Sequence, residues 1–143
     1  MIKSIMLGFL LATPFYAAAQ QTAPTAMVVV NSTVKVHKLS QAQLRSIYMM
    51  RQVVWPDGSA IKVFVLPNQA QLHLQFSRQQ LQLFPYQLER VWQKLTFSGT
   101  GTPPTEVENS AKMRELVAST PGAIGYIETT DDTSELQIVQ IQP

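Results

Sequence analysis

The chain has 143 residues, 11 basic and 9 acidic side chains, a net charge of +2 and no cysteine. Without cysteine there are no disulfides, thiolate metal sites, thiol nucleophile or lipid attachment through a cysteine, and so small a charge gives no electrostatic footprint for nucleic acid. The length allows one domain with a real core and hardly two.

Residues 1–19 read as a secretory signal. Lys3 supplies a short positive start, Ile5 to Phe15 form an apolar stretch too short to span a bilayer, and Ala17-Ala18-Ala19 offers a small-x-small cleavage site. Cleavage after Ala19 removes Lys3 and leaves a net charge of about +1. The mature product is expected in a bacterial periplasm, not lipidated and with no membrane span. Residues 20–26 read as a flexible leader, and 27–143 as the one folded domain.

Met27-Val28-Val29-Val30 is a continuous apolar run, which predicts a strand covered on both faces. A polar loop, Asn31-Ser32-Thr33, precedes the strongest helix start in the chain. There Ser40 caps, Gln43 completes an S-x-x-Q box and Leu39 staples onto Leu44. Leu44, Ile47 and Tyr48 then mark a buried face at i, i+3, i+4. Trp55-Pro56-Asp57-Gly58 is a turn by composition, and Ile61 to Leu66 is a second strand. Pro67-Asn68-Gln69 leads into a helix carrying Leu72 and Phe76. Pro85 opens the next helix, with Leu88, Val91, Trp92 and Leu95 on one face. Thr105 and Glu108 read as the capping box of a fourth helix that buries Met113, Leu116 and Val117. Ala123 to Ile127 is a third strand and Leu136 to Ile141 a fourth, with Asp131-Asp132 in the turn between them. The glutamine-rich stretch from Gln69 to Gln93 keeps its apolar helical period and reads as a neutral helix surface. This order predicts an α/β fold, with a single small mixed or parallel sheet flanked by about four helices.

Asn68-Gln69-Ala70-Gln71 follows a strand and opens a helix. In open α/β sheets ligands collect beyond the carboxyl ends of strands, where free helix N–H groups favour anions. Asn68, Gln69 and Gln71 are therefore candidate ligand-binding residues, although a plain helix cap by Asn68 fits the same position. Asn31 and Ser32, at the end of the first strand, are candidates on the same ground. Ser98-Gly99-Thr100-Gly101 adds Ser98 and Thr100, because glycines let backbone N–H groups approach an oxyanion. It lacks the Gly-Lys-Ser/Thr of a Walker A loop and follows a helix, so a helix C-cap before a Pro-Pro elbow accounts for it better than a phosphate cradle. His37 and His73 have no carboxylate at metal-ligand spacing and are expected on the surface or a helix face. Glu106, Glu108 and Glu115 read as a solvated face of one helix, with Glu108 and Lys112 an i, i+4 pair. Trp55 and Trp92 read as core anchors. There is no G-x-S-x-G elbow. No catalytic residue, metal site or cofactor is expected.

Several of these pieces, taken in order, resemble the phosphate ABC-transporter substrate-binding proteins over roughly 27–128. They are the Val-rich strand ending in Asn31, Leu39-Ser40 with Leu44-Arg45-Ser46-Ile47-Tyr48, and Trp55-Pro56-Asp57-Gly58. Trp92 with Phe97-Ser98-Gly99-Thr100-Gly101-Thr102-Pro103-Pro104 and Pro121-Gly122-Ala123-Ile124-Gly125-Tyr126 complete the set. The resemblance implies one lobe of a type 2 periplasmic binding protein, a non-enzymatic role in transport and a small, phosphate-like anion as ligand. It also implies a membrane permease or a second copy of the chain as partner. Full-length members carry a Ser-Gly-Thr-rich loop with an arginine after the strand matching 61–66; here that loop is Pro67-Asn68-Gln69-Ala70-Gln71, and the next arginine is Arg78. The alternative is a periplasmic interaction or structural protein that keeps the fold without the solute. Its motive is the charge-poor surface from 69 to 93, which a partner can cover while desolvating few charges.

Overall fold

A computed structural model describes residues 23–143; the signal expected at 1–19 and residues 20–22 of the expected leader lie outside the described residues. The elements in chain order are β1 (Ala26–Val30), β2 (Lys38–Ser40), α1 (Gln41–Tyr48), β3 (Lys62–Val65), α2 (Gln71–Gln75), α3 (Pro85–Ser98), β4 (Thr105–Glu106), α4 (Ser110–Ser119), β5 (Ala123–Glu128), β6 (Gln137–Ile138) and β7 (Gln140–Gln142). A π-helical turn, Phe76–Leu81, continues α2.

The main sheet is mixed, in the order β4-β3-β5-β1-β6. β3 runs parallel to both β4 and β5, whereas β1 runs antiparallel to β5 and β6. With neighbours on both sides, β1 buries Val28, Val29 and Val30, as its unbroken apolar run demands. Ala26 is buried too and pairs with Glu128, so the leader ends one residue earlier than its composition suggests.

Side chains alternate across β5, and the alternation sorts the layers. A Cβ on Gly125 would come within 2.6 Å of Met113 Sδ and 2.9 Å of Val117 Cγ2, so α4 lies directly on that face. On the other face Tyr126 stacks on Phe76, with ring centroids 3.9 Å apart, and Tyr48 of α1 meets Phe76 edge-on at 4.8 Å. The sheet is thus sandwiched between α4 and the pair formed by α1 and α2 with its π-turn. Arg45 Nε of α1 donates to Leu81 O at 2.8 Å, and Gln41 Nε2 to Gln80 O at 3.1 Å, which satisfies carbonyls at the end of the π-turn.

The α1 start forms as read: Ser40 accepts from Gln43 N, Gln43 returns the bond, and Leu44, Ile47 and Tyr48 are buried. Three expectations change. Thr105 and Glu108 do not cap a helix: Thr105–Glu106 forms an edge strand on β3, and α4 starts at Ser110 under the side chain of Asn109. Glu106 and Glu108 therefore leave that helix, and Lys112 pairs with Glu115. The predicted strand from Leu136 to Ile141 splits at buried Val139 into β6, on the main sheet, and β7, which pairs in parallel with β2. In α3 only Leu88 is buried; Val91, Trp92 and Leu95 are half-covered.

Candidate functional site

Because β3 and β5 are parallel, both finish at the same edge of the sheet. β1 runs the other way, so Asn31 and Ser32 sit at the opposite edge, away from Asn68, Gln69 and Gln71.

The Asn31 side chain is committed within the fold. Nδ2 donates to the carbonyls of Val117 (2.8 Å) and Ala118 (2.9 Å), while Oδ1 accepts from Thr33 N (2.9 Å) and Thr33 Oγ1 (2.8 Å). Two donated and two accepted bonds exhaust an amide, which leaves nothing for a ligand. The residue closes the C-terminal end of α4 instead. Replacing Asn31 with alanine is expected to cost about 2–3 kcal/mol, since two helix carbonyls lose their donor; urea unfolding of the variant measures it. Ser32 is exposed beside it.

Ser98 and Thr100 lie at the far end of α3. Ser98 Oγ bonds Lys94 O at 2.6 Å and meets Thr100 Oγ1 at 2.7 Å, while Gly99 ends the helix in the left-handed conformation. The helix-cap reading of this segment accounts for all of these contacts.

At the shared edge of β3 and β5 the chain passes from Leu66 through Pro67 to Ala70, whose N–H returns to Pro67 O. Ala70 is the N-cap of α2 and has no side-chain acceptor to offer, so the first N–H groups of the helix go without a side-chain partner. Asn68 does not cap. Its Nδ2 donates to Glu89 Oε2 of α3 at 3.0 Å, which ties the loop to that helix. Gln69 and Gln71 are exposed. Gln71 heads a groove of about 410 Å³ between Ala23-Pro24 and one face of the helix, completed by Leu74, Gln75, Arg78 and Gln79. Arg78 is the one charged residue of that lining, and Gln75 Oε1 is buried there without a partner. Arg78 also borders a second groove with Gln82, Leu83, Phe84 and Gln87, its guanidinium carbon 5.7 Å from the centre of the Phe84 ring.

Directly beneath this edge lies a residue that the sequence reading misplaced. His73 is fully buried, with Nδ1 hydrogen-bonded to the Tyr126 hydroxyl. The Tyr126 oxygen accepts from Leu66 N at 2.9 Å, and the one acceptor in reach of its own proton is His73 Nδ1, an arrangement that assigns the imidazole proton to Nε2, which is buried without a partner. Burial holds the His73 pKa down at about 4 and pushes the Tyr126 and Tyr48 hydroxyls well above their ordinary value. The ring is therefore neutral and fixes the loop through Tyr126. The available signal was spacing: with Leu72 and Phe76 taken as the buried face, His73 and Ser77 fall on the same side of the helix.

Among the described residues no cluster of three or more His, Cys, Asp or Glu is placed to hold a metal ion, and no helix is long and apolar enough to cross a membrane.

The mixed sheet, its layers and the edge where α2 begins define one lobe of a periplasmic-binding-protein fold. In particular, the fold is that of one lobe of phosphate ABC-transporter substrate-binding proteins. A protein from Clostridium perfringens, described as a phosphate ABC transporter substrate-binding protein and solved with bound phosphate, superimposes with a TM-score of 0.67 at 16% identity, over 81% of this chain and 44% of that one. An ABC-type phosphate transport receptor from Vibrio cholerae gives 0.61 at 18% identity, over 81% and 45%. PstS from Borrelia burgdorferi gives 0.57 at 14%, over 83% and 47%. The chain thus spans less than half the length of each of these proteins. Neither a protein-family model nor a curated protein matches the sequence.

Proposed function

We propose that this chain is an exported, non-enzymatic binding lobe that takes a small, phosphate-like anion in the groove where β3 ends and α2 begins. One observation carries the reading. α2 opens at the carboxyl edge of a parallel strand pair without a side-chain cap, and the groove running from it is lined by Gln71, Gln75, Gln79 and Arg78, with no carboxylate. Amide groups supply neutral donors and Arg78 a charge-assisted pair, and Gln69 is exposed in the loop that precedes α2. This lobe covers one side of the ligand, and a permease or a second copy of the chain would cover the other. The signal read at 1–19 supports a periplasmic setting for this work.

Thermal melting of the chain from Gln20 onward, with phosphate, sulfate and other anions at fixed ionic strength, tests this. Ligand at a hundred times its dissociation constant stabilises the native state by about 2.7 kcal/mol. The expected result is a shift selective for phosphate that disappears in Arg78→Gln and in Gln71→Leu, both at exposed positions. No shift with any anion rejects the reading. The second reading, an interaction protein that keeps the fold without the solute, is favoured by the exposed glutamines Gln69, Gln71, Gln79 and Gln82, neutral side chains that a partner can cover.

A further inference from the structure

Helix α3 is 14 residues long and rests on the domain through Leu88, the half-covered Val91, Trp92 and Leu95, and two hydrogen bonds, from Trp92 Nε1 to Tyr48 O at 2.8 Å and from Asn68 Nδ2 to Glu89 Oε2 at 3.0 Å. Its opposite side is formed by Tyr86, Arg90, Gln93, Lys94 and Phe97, all exposed and brought together by the helical period. Tyr86 is 56% exposed and Phe97 88%. At the start of the helix Phe84, 49% exposed, stacks on Tyr86 with ring centroids 5.8 Å apart, and Arg78 lies over it. The only carboxylate of α3, Glu89, is turned to Asn68. Among the described residues the one ion pair joins Lys112 to Glu115 on α4, so Arg78, Arg90 and Lys94 carry their charge unpaired.

We propose that this outward face of α3 docks on an anionic lipid headgroup layer. Two exposed rings, Tyr86 and Phe97, bracket two cations, Arg90 and Lys94, along the helix, Phe84 and Arg78 add a third ring and a third cation at its start, and no carboxylate opposes them. That is the pattern by which a helix lies in a membrane interface, rings at headgroup level and cations on lipid phosphates. Tyr86 and Phe97 stand about 16 Å apart along the axis, so both reach one plane. Shape favours lipid over protein. A stable protein interface needs about 800 Å² of complementary surface on each side, whereas a single projecting helix is a narrow convex ridge that a deformable lipid surface can follow. The lysine points the same way, being depleted at protein interfaces and common on membrane-facing helices. The inference goes beyond the anion reading and does not rest on it.

Flotation of the chain from Gln20 onward with vesicles of phosphatidylcholine, with and without phosphatidylglycerol, tests it; omitting the apolar segment 1–19 prevents that segment from binding lipid by itself. Binding is expected only to the phosphatidylglycerol vesicles and is expected to weaken as salt is added. The double variants Tyr86→Ala/Phe97→Ala and Arg90→Gln/Lys94→Gln should each lower partitioning by more than about tenfold. All four positions are exposed, so thermal melting should show the fold intact. Failure to float with phosphatidylglycerol vesicles overturns the proposal, as does flotation indifferent to both double variants. Retention on immobilised polyglutamate without flotation overturns it too, and assigns the face to an acidic protein.

Discussion

Acidifying the protein from about pH 7 to about 4.5 is expected to remove about 2–3 kcal/mol of stability, most of it through His73. In the folded chain burial holds this imidazole's pKa at about 4, against about 6.5 once unfolded. Between those values the unfolded chain binds a proton that the native state does not, so stability is complete above about 6.5 and falls as pH drops towards 4. Protonating the ring in place is unfavourable twice over. Nε2 already lacks a partner, and a proton on Nδ1 would face a Tyr126 hydroxyl whose hydrogen then has nowhere to go. Urea midpoints taken across this pH range measure the slope. In His73→Phe the slope should flatten, whatever the variant's absolute stability. A wild-type profile flat between pH 4 and 6.5 would mean that the ring protonates without leaving its pocket.

Replacing Gly122 with alanine is expected to cost about 3 kcal/mol or more. Gly122 has φ +78°, and a Cβ there would run into the backbone carbonyl of Ala60. The surrounding atoms cannot yield cheaply, because this residue joins three segments. Its N–H donates to Thr33 Oγ1 at 3.1 Å, while its carbonyl accepts from Trp55 Nε1 at 3.0 Å and from Lys62 N at 3.1 Å. Gly58 is the matching control. Its φ is +87° but nothing lies within 4 Å of the position a Cβ would take, so Gly58→Ala should cost only the backbone strain of about 1–2 kcal/mol. Equal losses at the two sites, read from urea unfolding, would show that the turn at Gly122 can relax.

What could be read in the sequence follows from what sequence encodes locally. The Ser40-to-Gln43 box, the buried triad of Leu44, Ile47 and Tyr48, the valine run of β1 and the turn at Trp55-Pro56-Asp57-Gly58 depend on spacing within a few residues, and all form. Strand direction is different. An apolar run looks the same whichever way it enters a sheet, and nothing in Met27–Val30 signals that it lies antiparallel to β5. That one unknown put Asn31 and Asn68 at a common edge. Thr105 and Glu108 fit a capping box equally well, yet the backbone bond from Val107 N to Val65 O (2.8 Å) and the pairing of Thr105–Glu106 with β3 claim that segment for the sheet. The spacing of His73 from Leu72 and Phe76 pointed to its burial, but its partner, Tyr126, was hidden because it comes 53 residues later. Within the candidate site the glutamines and the unmatched loop at 67–71 could be named from the sequence. The groove that joins Gln71 to Arg78 could not, since it depends on Ala23-Pro24 lying alongside the helix.

The antiparallel placement of β1 also bears on how the chain reaches this state. The strand's partners on both sides, β5 and β6, come roughly a hundred residues later, so the sheet cannot close until nearly the whole chain is present. Contacts of such long range make folding slow. Meanwhile Met27-Val28-Val29-Val30, the most β-prone run near the start of the domain, waits without a partner, and an unpaired apolar edge is what neighbouring copies of a chain aggregate through. The yield of native protein should therefore fall as refolding concentration rises, well before the finished fold shows any weakness.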